Sequence, residues 1–282
     1  MILTQQGLFI SMAKFFSFAI LLCFFTSTVS AAPTPDLWDI WDASDEESKL
    51  EVSHAQWSAF LAKYAPNIDS STATRLVSYS AVSKEDHKHL KAYIAMLSDL
   101  DPRLLTRAEQ FAYWVNLYNA ITVDLILDNY PLKSITKLGG FFSFGPWDQD
   151  VVTIVGKRIT LNDIEHRILR PIWKDKRIHY AVNCASIGCP NLYGQAFDSS
   201  NLEYQLESAA RMFINSAKGV QFEQGTLVLS EIYNWYAVDF GDTESLKNHL
   251  LQYLEGLTKE QLRSYSKDIS YQYNWDLNEQ KQ

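Results

Sequence analysis

Residues 106–129, TRAEQFAYWVNLYNAITVDLILDN, decide the fold class. The spacing predicts one long helix from Thr106 to Asn129, closed off before Pro131. Within it, Phe111 to Ala120 is apolar and aromatic except for Asn116 and Asn119, which share a face at i and i+3. Buried amides must be hydrogen-bonded. These two therefore either lock a loop by binding its backbone, or orient an imidazole as the third member of a thiol triad.

Upstream of this helix, Trp57, Phe60, Leu61 and Tyr64 fall at i, i+3, i+4 and i+7 in a helical pattern that begins at Val52. A second helix is expected over Lys84 to Leu100, stopped by Asp101-Pro102. Residues 32–50 read as a lead-in with Trp38, Trp41 and the acids Asp39, Asp42, Asp45, Glu46 and Glu47. It either docks by its tryptophans or stays a loosely ordered acidic arm.

Downstream the grammar changes. An aromatic loop holds Phe141, Phe142, Phe144 and Trp147, followed by a hairpin from Val151 to Leu161 across Gly156-Lys157. Asn162 is expected to cap a short helix ending at Pro171. A strand over Ile178 to Val182 precedes the cysteine loop. Then come a helix over Asn201 to Ala217, strands at Val220–Phe222 and Leu227–Leu229, a last helix over Thr243 to Glu255, and a strand over Ile269 to Tyr273. Connections are short, so residues 51–282 read as a single α+β domain, mainly helical with a small sheet.

Composition narrows the function classes. Of 282 residues 47% are hydrophobic, enough for a packed core and against a wholly disordered chain. A formal charge of -8 argues against nucleic acid as a partner. Lys14 is the only charged residue before Asp36, and it is followed by an apolar run and by small residues at Val29-Ser30-Ala31. Residues 1–31 therefore read as a signal peptide, with Met1 or Met12 as the start. The apolar run is short of the roughly 20 residues a spanning helix needs. The expected location is periplasmic or secreted, with no membrane span after cleavage. That mature chain keeps only Cys184 and Cys189 in an oxidising compartment.

The chemistry-bearing stretch is Asn183-Cys184-Ala185-Ser186-Ile187-Gly188-Cys189-Pro190. Small residues at a strand end let backbone N–H groups face a substrate and stabilise an oxyanion. The same groups, or a helix start after Cys184, would favour its thiolate. Three readings stay open: a structural Cys184–Cys189 disulfide, a catalytic or redox thiol, or two unpaired structural cysteines. Metal is disfavoured, since Cys-x4-Cys has no second ligand pair, and no cofactor motif is found. A nucleophilic cysteine needs a base. Helical spacing puts Glu165 inside an apolar stripe, where a salt bridge to an arginine is expected, and leaves His166 free to face a cleft. His179 lies opposite Cys184 along the expected strand and reads as a core histidine. Asp239-Phe240-Gly241 resembles a kinase tripeptide, but no phosphate loop accompanies it.

Phe111 to Ala120, Leu161 to Arg170, Arg177 to Pro190, Trp235-Tyr236 with Asp239-Phe240-Gly241, and Tyr273 to Asn278 together resemble the DUF547 family, in its order, across roughly Leu100 to Asn278. The resemblance implies secreted or periplasmic members in bacteria and intracellular multidomain relatives in eukaryotes, some joined to glutaredoxin-like modules. The family's cysteine block matches at Cys184 and Cys189, and its Glu-His block at Glu165 and His166. No mechanism comes with them.

The leading expectation is a thiol-dependent hydrolase or acyltransferase, with Cys184 as nucleophile, His166 as base, and Asn116 or Asn119 orienting. Histidine before cysteine matches only rearranged papain-like or transglutaminase-like cores. The alternatives are a non-catalytic module that binds a small molecule or peptide, its Cys184–Cys189 pair bridged, and a thiol–disulfide exchange protein.

Overall fold

The computed structural model describes residues 32–69, 73–139 and 144–280. The signal-peptide reading of residues 1–31, and Phe141 and Phe142 of the aromatic loop, lie outside the described residues. What is described is a mainly helical α+β single domain.

Its centre is α3 (Arg107–Asp128), packed with α1 (Ala55–Tyr64) and α2 (Lys84–Ser98). Thr106 caps α3 by accepting a hydrogen bond from Glu109 N–H at 3.3 Å, and Ser83 does the same for α2 from Asp86 N–H at 3.1 Å. Every residue of α3 from Glu109 to Val123 is buried. A helix that is apolar all round has to sit inside the core. Trp57, Phe60, Leu61 and Tyr64 of α1 are all buried, as their spacing predicts.

A two-stranded ribbon, β1 (Ile68–Asp69) with β2 (Thr74–Arg75), follows α1. Beyond α3, β3 (Val152–Ile154) pairs antiparallel with β4 (Lys157–Ile159) across Gly156, whose φ of 69° suits the turn. Next the chain winds as a π-helix over Asp163–Leu169 and continues as α4 (Arg170–Trp173). This departs from the expected helix capped by Asn162 and ended by Pro171. Asn162 is already helical, and the start is secured by Thr160 and Asp163, each donating its N–H to the other's side chain at 2.9 and 3.0 Å. Pro171 has no N–H to offer His166 O or Arg167 O. Those carbonyls accept instead from Asp36 N–H and Trp38 N–H of the lead-in, both at 3.0 Å. The lead-in is thus docked. Arg167 lies over the Trp38 ring at 4.3 Å, and Trp41 packs edge-on against Trp114.

The expected strand at Ile178–Val182 is instead a short helix, α5 (Ile178–Ala181). Asp175 accepts Arg177 N–H at 2.8 Å and turns the chain into that helix, overriding a four-residue strand propensity. α6 (Leu202–Ile214) leads into a three-stranded sheet and a second core. Its strands are β5 (Val220–Glu223), β6 (Thr226–Ser230) and β7 (Ile269–Gln272), in the order β5-β6-β7. β7 runs parallel to β6, and a parallel pair needs a long crossover. α7 (Ile232–Trp235), α8 (Ala237–Phe240), α9 (Thr243–Tyr253) and α10 (Gly256–Ser264) supply it. The expected last helix ended at Glu255, so α10 is an addition. It buries only Leu262, which leaves too weak an apolar stripe to read. Among the described residues no helix is long and apolar enough to cross a membrane.

Candidate functional site

The cysteine loop leaves α5 and returns along the C-terminal segment. Ala185 sits at φ 56°, a left-handed turn that folds Cys189 back over Cys184. Asn183 holds the turn, its Oδ1 accepting Ala185 N–H at 2.8 Å and its amide donating to Pro190 O at 2.6 Å. Ile187 N–H and Gly188 N–H bond Asp276 O and Asn274 O. A Cβ at Gly188 would stand 2.7 Å from the Asn274 backbone nitrogen, so only glycine permits this approach.

The two asparagines of α3 anchor this region from the other side. Asn119 donates to Ala181 O at 2.9 Å and accepts Asn183 N–H at 2.8 Å. Asn116 does the same with both backbone groups of Phe197, at 2.8 and 2.9 Å. Both are loop locks. Neither amide bonds a histidine among the described residues.

Cys184 and Cys189 are free thiols with their sulfurs 2.8 Å apart. Cys184, half-buried, also contacts Tyr273 Oη at 2.9 Å and Ser186 Oγ at 3.3 Å. Burial opposes its ionisation, but hydrogen bonds from Cys189, Ser186 and Tyr273 outweigh burial and hold the thiol below its ordinary range. Cys189 is 5% exposed, and burial, then the neighbouring sulfur, pushes it well above that range. Most of the loop's backbone N–H groups are not free to form the oxyanion hole the sequence suggests. Cys184 N–H donates to Cys189 Sγ, and the N–H groups of Ala185, Ile187, Gly188 and Cys189 are each spent inside the protein. Nor does a helix begin after Cys184.

A buried polar network lies within Coulombic reach of the thiol. Arg170, 3% exposed, donates through Nε to Asp239 Oδ2 at 2.6 Å, and through Nη1 to Pro33 O and to His166 Nδ1 at 2.8 Å. A guanidinium only donates. His166 Nδ1 is therefore an acceptor, and the neutral ring carries its proton on Nε2. His166 is buried rather than facing a cleft, because the π-turn replaces the 100° step on which that expectation rests. Burial and Arg170 lower its pKa against the pull of Glu165. Glu165 accepts from Tyr118 at 3.2 Å. Burial would raise its pKa, but the polar groups around it, the Tyr236 hydroxyl and the Arg170 guanidinium among them, together outweigh that and lower it. The salt bridge expected between Glu165 and an arginine does not form among the described residues, and the buried Arg170 pairs with Asp239.

His179 Nε2 lies 2.7 Å from Asp239 Oδ2, while its Nδ1 is buried without a hydrogen-bond partner among the described residues, 3.9 Å from Glu165 Oε1. The Tyr236 ring covers it at 4.1 Å. Burial disfavours ionised Asp239, yet hydrogen bonds from His179 and Arg170 hold its carboxyl at about 2.

Three residues of this neighbourhood escape sequence reasoning. Tyr273 is 89 residues from Cys184, beyond any spacing rule. Asp239 lies in a block that carries the family resemblance, but no role attaches to it there and its tripeptide reads otherwise as a failed kinase motif. Lys218, bonded to Cys189 O at 2.7 Å, carries no local signal.

Residues 102–214, which hold Asn116, Asn119, Glu165, His166 and both cysteines, match the family described as protein of unknown function, DUF547. This segment belongs to the DUF547 family. The resemblance read from the sequence is borne out there, while the blocks at Trp235–Gly241 and Tyr273–Asn278 lie outside the matched DUF547 range. No curated protein and no solved structure matches the chain.

Proposed function

We propose that this protein performs thiol–disulfide exchange, with Cys184 as the attacking thiol and Cys189 as the resolving one. The carrying observation is the asymmetric pair: a half-buried thiol held below its ordinary pKa, 2.8 Å from a buried thiol pushed above it. When Cys184 ionises, the proton left on Cys189 bridges the two sulfurs. Cys184 S⁻ attacks one sulfur of a substrate disulfide, forming a mixed disulfide and expelling the other half as a thiolate, which takes a proton from water. Cys189 then gives its proton to water and attacks Cys184 Sγ. The mixed disulfide breaks, the second half leaves as a thiolate that takes a proton back from water, and the protein holds a Cys184–Cys189 bridge. The substrate is reduced by two electrons and the dithiol is oxidised by two. The sulfurs need to close only from 2.8 Å to a bond length of about 2.05 Å.

A second reading, acyl transfer, draws on His179, oriented by Asp239. Most N–H groups of the loop are already bonded within the protein, and the lone pair of His166 Nδ1 is already bound by Arg170. The signal-type leader read over residues 1–31 supports export to an oxidising compartment, where a thiol donor would have to reduce the Cys184–Cys189 bridge back to the dithiol.

The test is trapping. Cys189→Ser should accumulate a stable mixed disulfide with a small disulfide, visible by intact mass, whereas Cys184→Ser should not. Equal trapping by both variants, or none by either, would overturn the proposal.

A further inference from the structure

Beside the dithiol lies a cavity of about 180 Å³ lined by Ile187, Gly188, Lys218, Gln272, Tyr273 and Asn274. Tyr273 joins the two: its side chain is part of the cavity wall, and its hydroxyl bonds Cys184 Sγ at 2.9 Å. Lys218 donates to Cys189 O and Asn191 Oδ1, both at 2.7 Å. An ammonium has three N–H donors, so one remains. Among the described residues no carboxylate lies within ion-pair range of Lys218. A half-buried cation without a counter-ion is costly. Burial accordingly lowers its pKa to about 8, against the pull of the two sulfurs. Exposed Asn274, also in the lining, accepts Asp276 N–H through Oδ1 at 2.8 Å, so its amide N–H groups are not engaged by that bond.

We propose that this cavity is the anion subsite of the exchange reaction, taking a carboxylate on the disulfide substrate, with Lys218 as its counter-ion and Asn274 as a rim donor. The inference rests on the exchange reading. Its substrate class is disulfides that carry a carboxylate close to the sulfur, in preference to neutral ones. Since Lys218 is charged only below its pKa, that preference should fade as pH rises through about 8.

The test compares two probes, dithiobis(nitrobenzoate), which carries carboxylates, and uncharged dithiodipyridine. The rate with each is measured near neutral pH for the wild-type chain and for Lys218→Met. Changes in thiolate fraction affect both probes alike, so the ratio of rates isolates recognition of charge. The ratio should fall about fivefold in the variant, as expected for one partly screened charge contact. An unchanged ratio in a folded variant overturns the anion subsite and leaves exchange standing. Failure of the wild-type protein to react with either probe overturns exchange and the subsite with it. Should Lys218→Met not fold, a salt series on the wild type decides. The ratio should decline with ionic strength, and a flat ratio refutes the subsite.

Discussion

Replacing Tyr273 by Phe removes one hydroxyl and keeps the ring, which packs against Trp235 and Trp275 at centroid distances of 4.7 and 4.6 Å. That hydroxyl bonds Cys184 Sγ and Ser186 Oγ, both at 2.9 Å. It has a single proton, and once Cys184 ionises that proton goes to the sulfur. A hydrogen bond to a charged group contributes about 1.5–3 kcal/mol. At about 1.36 kcal/mol per pKa unit, its loss should raise the Cys184 pKa by about 1–2 units. Ser186, 3.3 Å from the sulfur and freed from Tyr273, can turn its own proton inward and recover part of the loss. The expected rise is therefore near the lower end, about 1 unit, which cuts the neutral-pH thiolate fraction by up to roughly tenfold. The assay is the rate of iodoacetamide alkylation against pH, with thiolate ultraviolet absorbance as a second readout and intact mass to assign the cysteine. A midpoint that stays put or moves down would refute this account of the thiol's acidity.

Further outcomes follow from the same contacts. Glu165→Gln removes the carboxylate charge that raises the Cys184 pKa, so the alkylation midpoint should move down; an upward shift would contradict that electrostatic placement. Asn119→Ala strips partners from Ala181 O and Asn183 N–H and should cost about 2–4 kcal/mol in urea unfolding. A loss below about 0.5 kcal/mol would mean the loop is held by other means. His54 and His249 are each lowered from 6.5 to about 4, by burial first. The unfolded chain therefore binds more protons between those values, and stability should fall as pH drops from about 6.5 to about 4. Unfolding curves that coincide at about pH 7 and about pH 5 would contradict this.

Much of the fold is legible in the residues because its signals are local and long. The central helix, the four buried positions of α1 and the β3–β4 hairpin stand within a few residues of where periodicity and turn chemistry put them. The failures have physical causes. Ile178–Ala181 is too short for propensity to choose between strand and helix, and the Asp175 turn chooses helix. At His166 a rotation of 100° per residue predicts a cleft-facing side chain, but a π-turn intervenes and the ring ends up buried, as Glu165 beside it is expected to be. The candidate site was half legible. Both cysteines and the two asparagines stand out by type and spacing, and loop-locking was one of two roles foreseen for the amides. Tyr273, Asp239 and Lys218 reach the site only through long-range folding, the last two against Arg170 with His179 and against the Cys189 carbonyl.

Redox equilibrium of the wild-type dithiol is the most direct check on thiol–disulfide exchange. The protein is equilibrated in glutathione buffers of graded ratio, quenched with an alkylating agent and read by intact mass. Exchange predicts a reversible two-electron transition in which Cys184 and Cys189 disappear together, with a midpoint in the range of dithiol exchange proteins, roughly −270 to −120 mV. A pair that stays reduced in fully oxidised glutathione, or a bridge with a midpoint below about −300 mV, typical of inert structural disulfides, would contradict it.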